Sequence, residues 1–253
     1  MMTKTAVITR QTINLKDVDF DKGEVILIDK SLYKSSFNVI YKLRKATGVK
    51  KAGHAGTLDP RATGLLIICT GKRTKDISLF QDCCKTYTGT ITLGKTTLSM
   101  DSETDFVEEK GIEGISEGDI LLARDSFLGD ILQTPPMYSA VKFKGKSLYK
   151  YARKGIDLKR EPRRVTVSEF NITKIDLPEL HFEITCSKGT YIRVIAHDFG
   201  QKLGCGGYLS ALRRTKIGDF NVEDAFTVDE FVSLWHTRET MQPTDSQAGD
   251  PVS

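Results

Sequence analysis

The chain has 253 residues, 39% hydrophobic and 28% charged, with a formal net charge of +4. That is the composition of an ordinary globular protein able to bury one sizeable core, and it excludes fibrous and fully disordered classes. No run approaches the roughly 18 apolar residues that cross a membrane, Met1 to Gly23 lacks the apolar centre of a signal peptide, and the five cysteines show no paired Cys/His spacing for zinc and suit a reducing cytoplasm.

Residues 1 to 22 are mixed and polar, and read as an N-terminal extension. Glu24 to Ile28 is a short apolar strand. Ser35 or Ser36 caps a helix running to about Thr47, with Gly48 just past its end and Val39, Ile40 and Leu43 on its buried face. Lys42, Arg44, Lys45, Lys50 and Lys51 give that helix and its exit a basic exposed side. Residues 53 to 64 then read Gly-His-Ala-Gly-Thr-Leu-Asp-Pro-Arg-Ala-Thr-Gly. Gly53, Gly56 and Gly64 suit neither a helix nor a regular strand, and Pro60 pushes Asp59 out of the α region. Asp59 is thus a carboxylate on a stiff loop, anchored by the buried strand Leu65 to Cys69. Taken alone, these residues admit a plain glycine turn with a surface aspartate or a catalytic loop.

Gly71 to Lys75 opens a helix to about Cys83. The spacing is not that of a phosphate loop, so nucleotide binding is rejected. Thr86 to Leu93 alternates strictly, with Tyr87, Gly89, Ile91 and Leu93 on one face, and is a half-buried strand. Tyr87 is by itself either a packing residue or a platform for a base. Residues 97 to 119 hold eight acids against Lys110, and Asp101 to Gly118 reads as a solvated loop. Ser116 and Asp119 have capping-box spacing for a helix through Phe127. Residues 142 to 164 hold ten cations against Asp157 and Glu161. Lys146, Lys150 and Arg153 lie there among Phe143, Tyr149 and Tyr151. Cations neutralise phosphates and aromatic rings stack on bases, although a solvated basic helix has a similar composition.

Val165 to Ile172 and Leu180 to Ser187 read as strands. Gly189-Thr190-Tyr191-Ile192-Arg193 opens a helix to about Leu203 with Ile192, Ile195, Ala196 and Phe199 as its apolar face. Thr227 and Glu230 mark a capping box for a last helix ending near Trp235. Residues 237 to 253 carry little that is apolar and read as a disordered tail.

The order Gly-His-Ala-Gly-Thr-Leu-Asp-Pro-x-Ala-Thr-Gly-Leu-Leu closely resembles the catalytic motif of the TruB family of tRNA pseudouridine synthases. The first strand and its Ser35-Ser36 helix, Lys85-x-Tyr87, Gln133 to Gly155, Gly189 to Arg193, and Gly204 to Arg214 resemble the family's other segments, so the likeness runs from about Gly23 to Trp235. Ser31 departs from it, standing where the family usually has proline. The resemblance implies the pseudouridine synthase fold, an α+β domain over residues 23–236 with a mixed, mostly antiparallel sheet and flanking helices, and an RNA-gripping insertion at about 137–160. It also implies roles. Asp59 is the catalytic carboxylate, Arg193 its partner, and Tyr87 stacks on the target base and, by its place in the motif, is a catalytic candidate for taking the C5 proton. Tyr191 packs in the site, Leu212 lines it, and His54 lies near the flipped nucleotide. The activity implied is isomerisation of uridine-55 in the T loop of tRNA to pseudouridine, by a cytoplasmic monomer that needs no metal, nucleotide or redox cofactor and takes the T-arm stem-loop as its partner. Many members continue into a further RNA-binding (PUA) domain; a short form without it is expected here. Two other readings stay open on the residues alone: a non-catalytic RNA-binding module, and a carboxylate hydrolase acting on RNA, which lacks a second well-placed acid.

Overall fold

The computed structural model describes residues 7–12, 15, 16 and 18–237. The chain enters through β1 (Val7–Ile8) and β2 (Val25–Lys30), which pair in parallel. Helix α1 (Ser36–Thr47) is capped by Ser35, whose side chain accepts the Asn38 N–H, and ends at Gly48 in the left-handed region. It leads to β3 (Ala52–His54) and β4 (Ala62–Thr70), and β4 pairs antiparallel with both β2 and β3. The apolar run of β4 is continuous because both faces are covered. Leu66 and Ile68 join Ile26, Ile28, Val39 and Leu43 on one side, while Leu65, Ile67 and Cys69 join Val25, Leu27 and Phe80 on the other.

A 3₁₀ turn (Gly71–Asp76) and α2 (Ile77–Asp82) together occupy the helix expected there, and β5 (Lys85–Leu93) follows. Next come the paired β6 (Lys95–Thr97) and β7 (Phe106–Glu109), then α3 (Glu117–Asp125) with the Ser116/Asp119 capping box formed. An edge strand, β8 (Gly129–Gln133), precedes the basic segment. That segment holds the short pair β9 (Lys142–Phe143) and β10 (Lys146–Ser147) and a brief helix, α4 (Leu148–Ala152). The long strands β11 (Arg163–Asp176) and β12 (Glu179–Cys186) return to the sheet. Helix α5 (Ile192–Lys202), β13 (Gly207–Ile217), β14 (Phe220–Asn221), β15 (Phe226–Thr227) and α6 (Val228–Thr237) complete the described chain.

The main sheet runs β1-β2-β4-β13-β5-β12-β11-β8, with β3, β14 and β15 attached. It is mixed and mostly antiparallel, so the architecture is α+β. Its parallel seam, β4 against β13, sets Leu212 opposite Ala62 and Arg214 opposite Gly64. β13 pairs on its other side with β5, placing Arg214 opposite Tyr87. Two glycines make this packing possible. At Gly64 φ is +105°, and a Cβ would lie 2.3 Å from the Arg214 carbonyl oxygen; at Gly200 a Cβ would lie 2.1 Å from the Gly207 nitrogen, where α5 crosses β13.

Part of the expected N-terminal extension belongs to this core: Val7–Ile8 is a strand, and Leu15 and Phe20 are buried. The expected tail lies outside the described residues from 238 onward. Among the described residues, no helix is long and apolar enough to cross a membrane.

Gly64→Ala combines a positive φ with a backbone collision, so it is expected to destabilise the fold by at least about 2 kcal/mol. Calorimetry should find Tm lower by roughly 4 °C or more.

Candidate active site

Asp59 sits in the turn between β3 and β4, and its backbone is pinned from two sides. The Ser36 hydroxyl, buried at the start of α1, accepts the Leu58 N–H at 2.9 Å and lies 3.1 Å from the Leu58 carbonyl. The Ala62 N–H donates to the Asp59 carbonyl at 3.0 Å, closing the turn through Pro60. Below it, the fully buried Lys30 donates to the carbonyls of Lys34 at 2.7 Å, Ser31 at 3.2 Å and Ala62. Burial pulls the Lys30 pKa down to about 8, with the Asp59 charge opposing.

Arg193 in the first turn of α5 reaches the carboxylate. Its Nη2 lies 3.2 Å from Asp59 Oδ2, and its Nη1 donates to Asp101 Oδ2, also at 3.2 Å. The Arg193 and Asp101 side chains are only 4% and 5% exposed. The start of α5 is held by Gln133 of β8. Its side-chain amide accepts the Tyr191 N–H at 2.7 Å and donates to the Tyr191 carbonyl at 3.0 Å.

The sequence reading missed both Asp101 and Gln133. The stretch from Asp101, expected to be a solvated acidic loop, turns inward at its first residue. Thr97 and Ser99 hydroxyls donate to the Asp101 carbonyl at 2.7 and 3.2 Å, and Leu209 of β13 donates to the Met100 carbonyl at 3.0 Å. Hydroxyl side chains satisfy the backbone of this turn, which lets one acid leave water while its neighbours stay in it. The density of Ser and Thr from Thr96 to Thr104 was the available signal.

Arg193 lowers the Asp59 pKa but does not set its net direction. The Asp59 side chain is 41% exposed, but it lies deep in a concave cleft with protein on most sides. Burial is the largest influence and raises its pKa; Arg193 and Lys30 oppose that, while the Asp101 charge adds to it.

A cleft of about 600 Å³ opens over this pair. It brings together Asp59, Tyr87, Tyr191, Arg193 and Leu212, along with the buried Lys85 and Arg214. Arg214 donates to the carbonyls of Leu65 at 2.8 Å and Gly56 at 3.1 Å, fastening the motif loop to β13. Tyr87 is buried, which raises its phenol pKa against the pull of Arg214 and keeps it neutral. The Arg193 guanidinium lies 5.8 Å from the Tyr191 ring centre. His54 does not line the cleft. It sits on β3, with its pKa lowered first by burial and then by Arg214. Lys146, Lys150 and Arg153 are exposed and lie off the cleft, whose wall the neighbouring segment reaches only through Ala140. Their segment is tied to the acidic turn: the Tyr149 hydroxyl donates to Glu103 at 3.0 Å, and the Glu103 N–H donates to Asp101 Oδ1 at 2.9 Å.

Comparison with known proteins bears on this arrangement. The model of the TruB family pseudouridylate synthase N-terminal domain matches residues 44–192, and that of the tRNA pseudouridylate synthase B C-terminal domain matches 193–247. The chain belongs to the TruB family. Proteins named tRNA pseudouridine synthase B resemble this TruB-family chain closely. That of Opitutus terrae is 47% identical over 83% of this chain and 87% of its own, and that of Flavobacterium johnsoniae is 48% identical over 84% and 96%. Among solved structures, a chain of a Cbf5–Nop10–Gar1 complex superposes with a TM-score of 0.68 at 25% identity, covering 94% of this chain and 66% of that one. A chain of an H/ACA ribonucleoprotein bound to a substrate RNA, at 24% identity and a TM-score of 0.66 over 57% of its length, shares the fold.

Titration of the Asp59 carboxyl by carbon-13 NMR is expected to give a midpoint above the ordinary aspartate value. Asp101→Asn removes a neighbouring negative charge, so the midpoint should fall toward that value. An unchanged midpoint in the variant would show that Asp101 does not act on Asp59.

Proposed function

We propose that this protein isomerises uridine-55 in the T loop of tRNA to pseudouridine, acting as a monomer in the cytoplasm. The observation that carries the reading is the Asp59 carboxylate, gripped by a buried Arg193 on the floor of a cleft walled by two tyrosines. The reaction breaks the C1′–N1 bond, turns the base and joins C1′ to C5, and the C5 proton is lost as N1 gains one. Atoms and electrons balance within the nucleotide, so the chemistry calls for no redox partner.

Most requirements of that reaction have a residue to meet them. The target base must leave its stack, at a cost of a few kcal/mol. Tyr87 and Tyr191 offer ring faces that return about 1–3 kcal/mol per stacked base. Leu212 supplies an apolar wall, and Asp59 the charge beside the sugar. Arg193 aims that charge, because a planar fork fixes a carboxylate in direction as well as distance. A neutral Tyr87 suits stacking better than proton abstraction. A purely RNA-binding role would leave the pairing of Arg193 with two carboxylates without a use. Lys146, Lys150 and Arg153, on the exposed side of their segment, are placed to meet phosphates of the T arm.

Asp59→Asn is expected to abolish pseudouridine formation in unmodified tRNA while keeping tRNA affinity within about tenfold. Because the folded-state pKa of Asp59 is raised, stability is lost as the pH climbs from the unfolded-state pKa to the folded-state one and stays lost above it, so the neutral variant should melt no lower than the parent at pH 7. Arg193→Lys keeps a charge but cannot hold two carboxylates in one geometry, so single-turnover rates should fall about a hundredfold or more. Measurable product from the first variant, or near-normal rates from the second, would overturn the assignment.

Neutralising Lys146, Lys150 and Arg153 together should flatten the log–log salt dependence of tRNA binding by about two units, at roughly 0.7–0.9 per phosphate. An unchanged slope would remove these side chains from the interface.

A further inference from the structure

One surface outside the cleft has no part in the mechanism above. Helix α1 turns Phe37, Tyr41, Arg44, Lys45 and the Gly48 end toward one side, at the spacing of a helical stripe. Phe37 is 71% exposed and Tyr41 57% exposed. Tyr33, 64% exposed, lies just before the helix, and the Arg61 guanidinium lies 5.0 Å from its ring centre. Beyond the helix, Lys50 and Val49 join the same groove.

Scattered exposed apolar side chains need no explanation, but two exposed aromatic rings one turn apart in a groove they share with three cations do. From Ser31 to Leu58 the chain has Lys34, Lys42, Arg44, Lys45, Lys50 and Lys51 and no acid at all. Of these six, Lys42 alone forms an ion pair among the described residues, with the exposed Asp229 at 3.4 Å. Rings for stacking and unopposed cations for phosphates are what a groove for single-stranded nucleic acid requires. A protein partner would be met by a patch with fewer charges at its centre.

The row is also continuous with the cleft. Its first turn is joined to the Asp59 loop by the Ser36–Leu58 hydrogen bonds, and the Tyr33 N–H donates to the Pro60 carbonyl at 2.8 Å. From Phe37 to Lys45 it extends about 12 Å along the helix. We propose that this row is a second RNA-binding track, which holds an unpaired stretch of the tRNA lying outside the T arm. The track rests on the reading that tRNA is the substrate, and it adds a contact that an isolated stem-loop cannot make.

Two variants test it: Phe37→Ala with Tyr41→Ala, and Arg44→Gln with Lys45→Gln and Lys50→Gln. Binding and pseudouridine formation are measured on whole unmodified tRNA and on a T-arm stem-loop. The aromatic variant should raise the Kd for whole tRNA about tenfold or more with little change in salt dependence. The cation variant should flatten the salt slope for whole tRNA by about two units. Turnover of the stem-loop should stay within twofold of the parent in both. Unchanged tRNA binding in both variants would overturn the track, as would an equal loss on tRNA and stem-loop. So would a change in oligomeric state by light scattering, which would make the row a protein contact. The parent on the stem-loop is the control for the reading itself: if it forms no pseudouridine, the proposed reaction fails, whatever happens to tRNA binding.

Discussion

A guanidinium removed almost wholly from water needs its charge met locally, and Arg193 meets it with carboxylates from two distant parts of the chain. Asp101 is as deeply buried as Arg193 and is fixed by the turn around it, so it acts as a stationary counter-charge. Asp59 is the partner that faces the cleft. Loss of Asp101 would leave the buried Arg193 with only the half-exposed Asp59 as partner, and breaking a buried pair costs more than forming it contributes. The direction of the Asp59 carboxylate is thereby set by the Arg193–Asp101 pair. Gln133 extends the same control to the backbone, since its amide fixes where α5 begins and hence where Arg193 starts.

Behind the cleft the interior carries an unusual share of positive charge. Lys30 and Lys85 each donate to three carbonyls, and Arg214 donates to two. None of these three forms an ion pair with a carboxylate among the described residues. Burial lowers the pKa of both lysines, with Arg214 lowering each further. Held charges of this kind cost stability, but they also give the cleft a fixed positive potential before a polyanion arrives. Carbonyl acceptors suit that purpose because they satisfy hydrogen bonds without cancelling the charge.

Local signals in the sequence were strongest where backbone chemistry is local. Ser35 and Gly48 bound α1 as the caps require, both capping boxes formed, and the alternation of Thr86 to Leu93 became β5. The motif residues Asp59, Tyr87, Tyr191, Arg193 and Leu212 came together in one cleft. β13 stayed hidden because Arg213, Arg214 and Lys216 interrupt its apolar pattern, and a buried arginine in mid-strand makes sense only beside the loop carbonyls it serves. β8 was too short and too polar to show a period. Asp101 could not be separated by composition from the acids around it, because its burial depends on a partner 92 residues away.

The seam between β4 and β13 has a consequence for the order in which the protein can form. Leu65 and Arg214 are 149 residues apart in sequence, and contacts of such separation form slowly because loop closure must precede them. The β2–β4 pairing is available early, as both strands lie in the first third of the chain. The cleft is different: its wall at Leu209, Leu212 and Arg214 is supplied only when the last quarter of the chain has been made. During synthesis, therefore, the Asp59 carboxylate exists well before the pocket that encloses it.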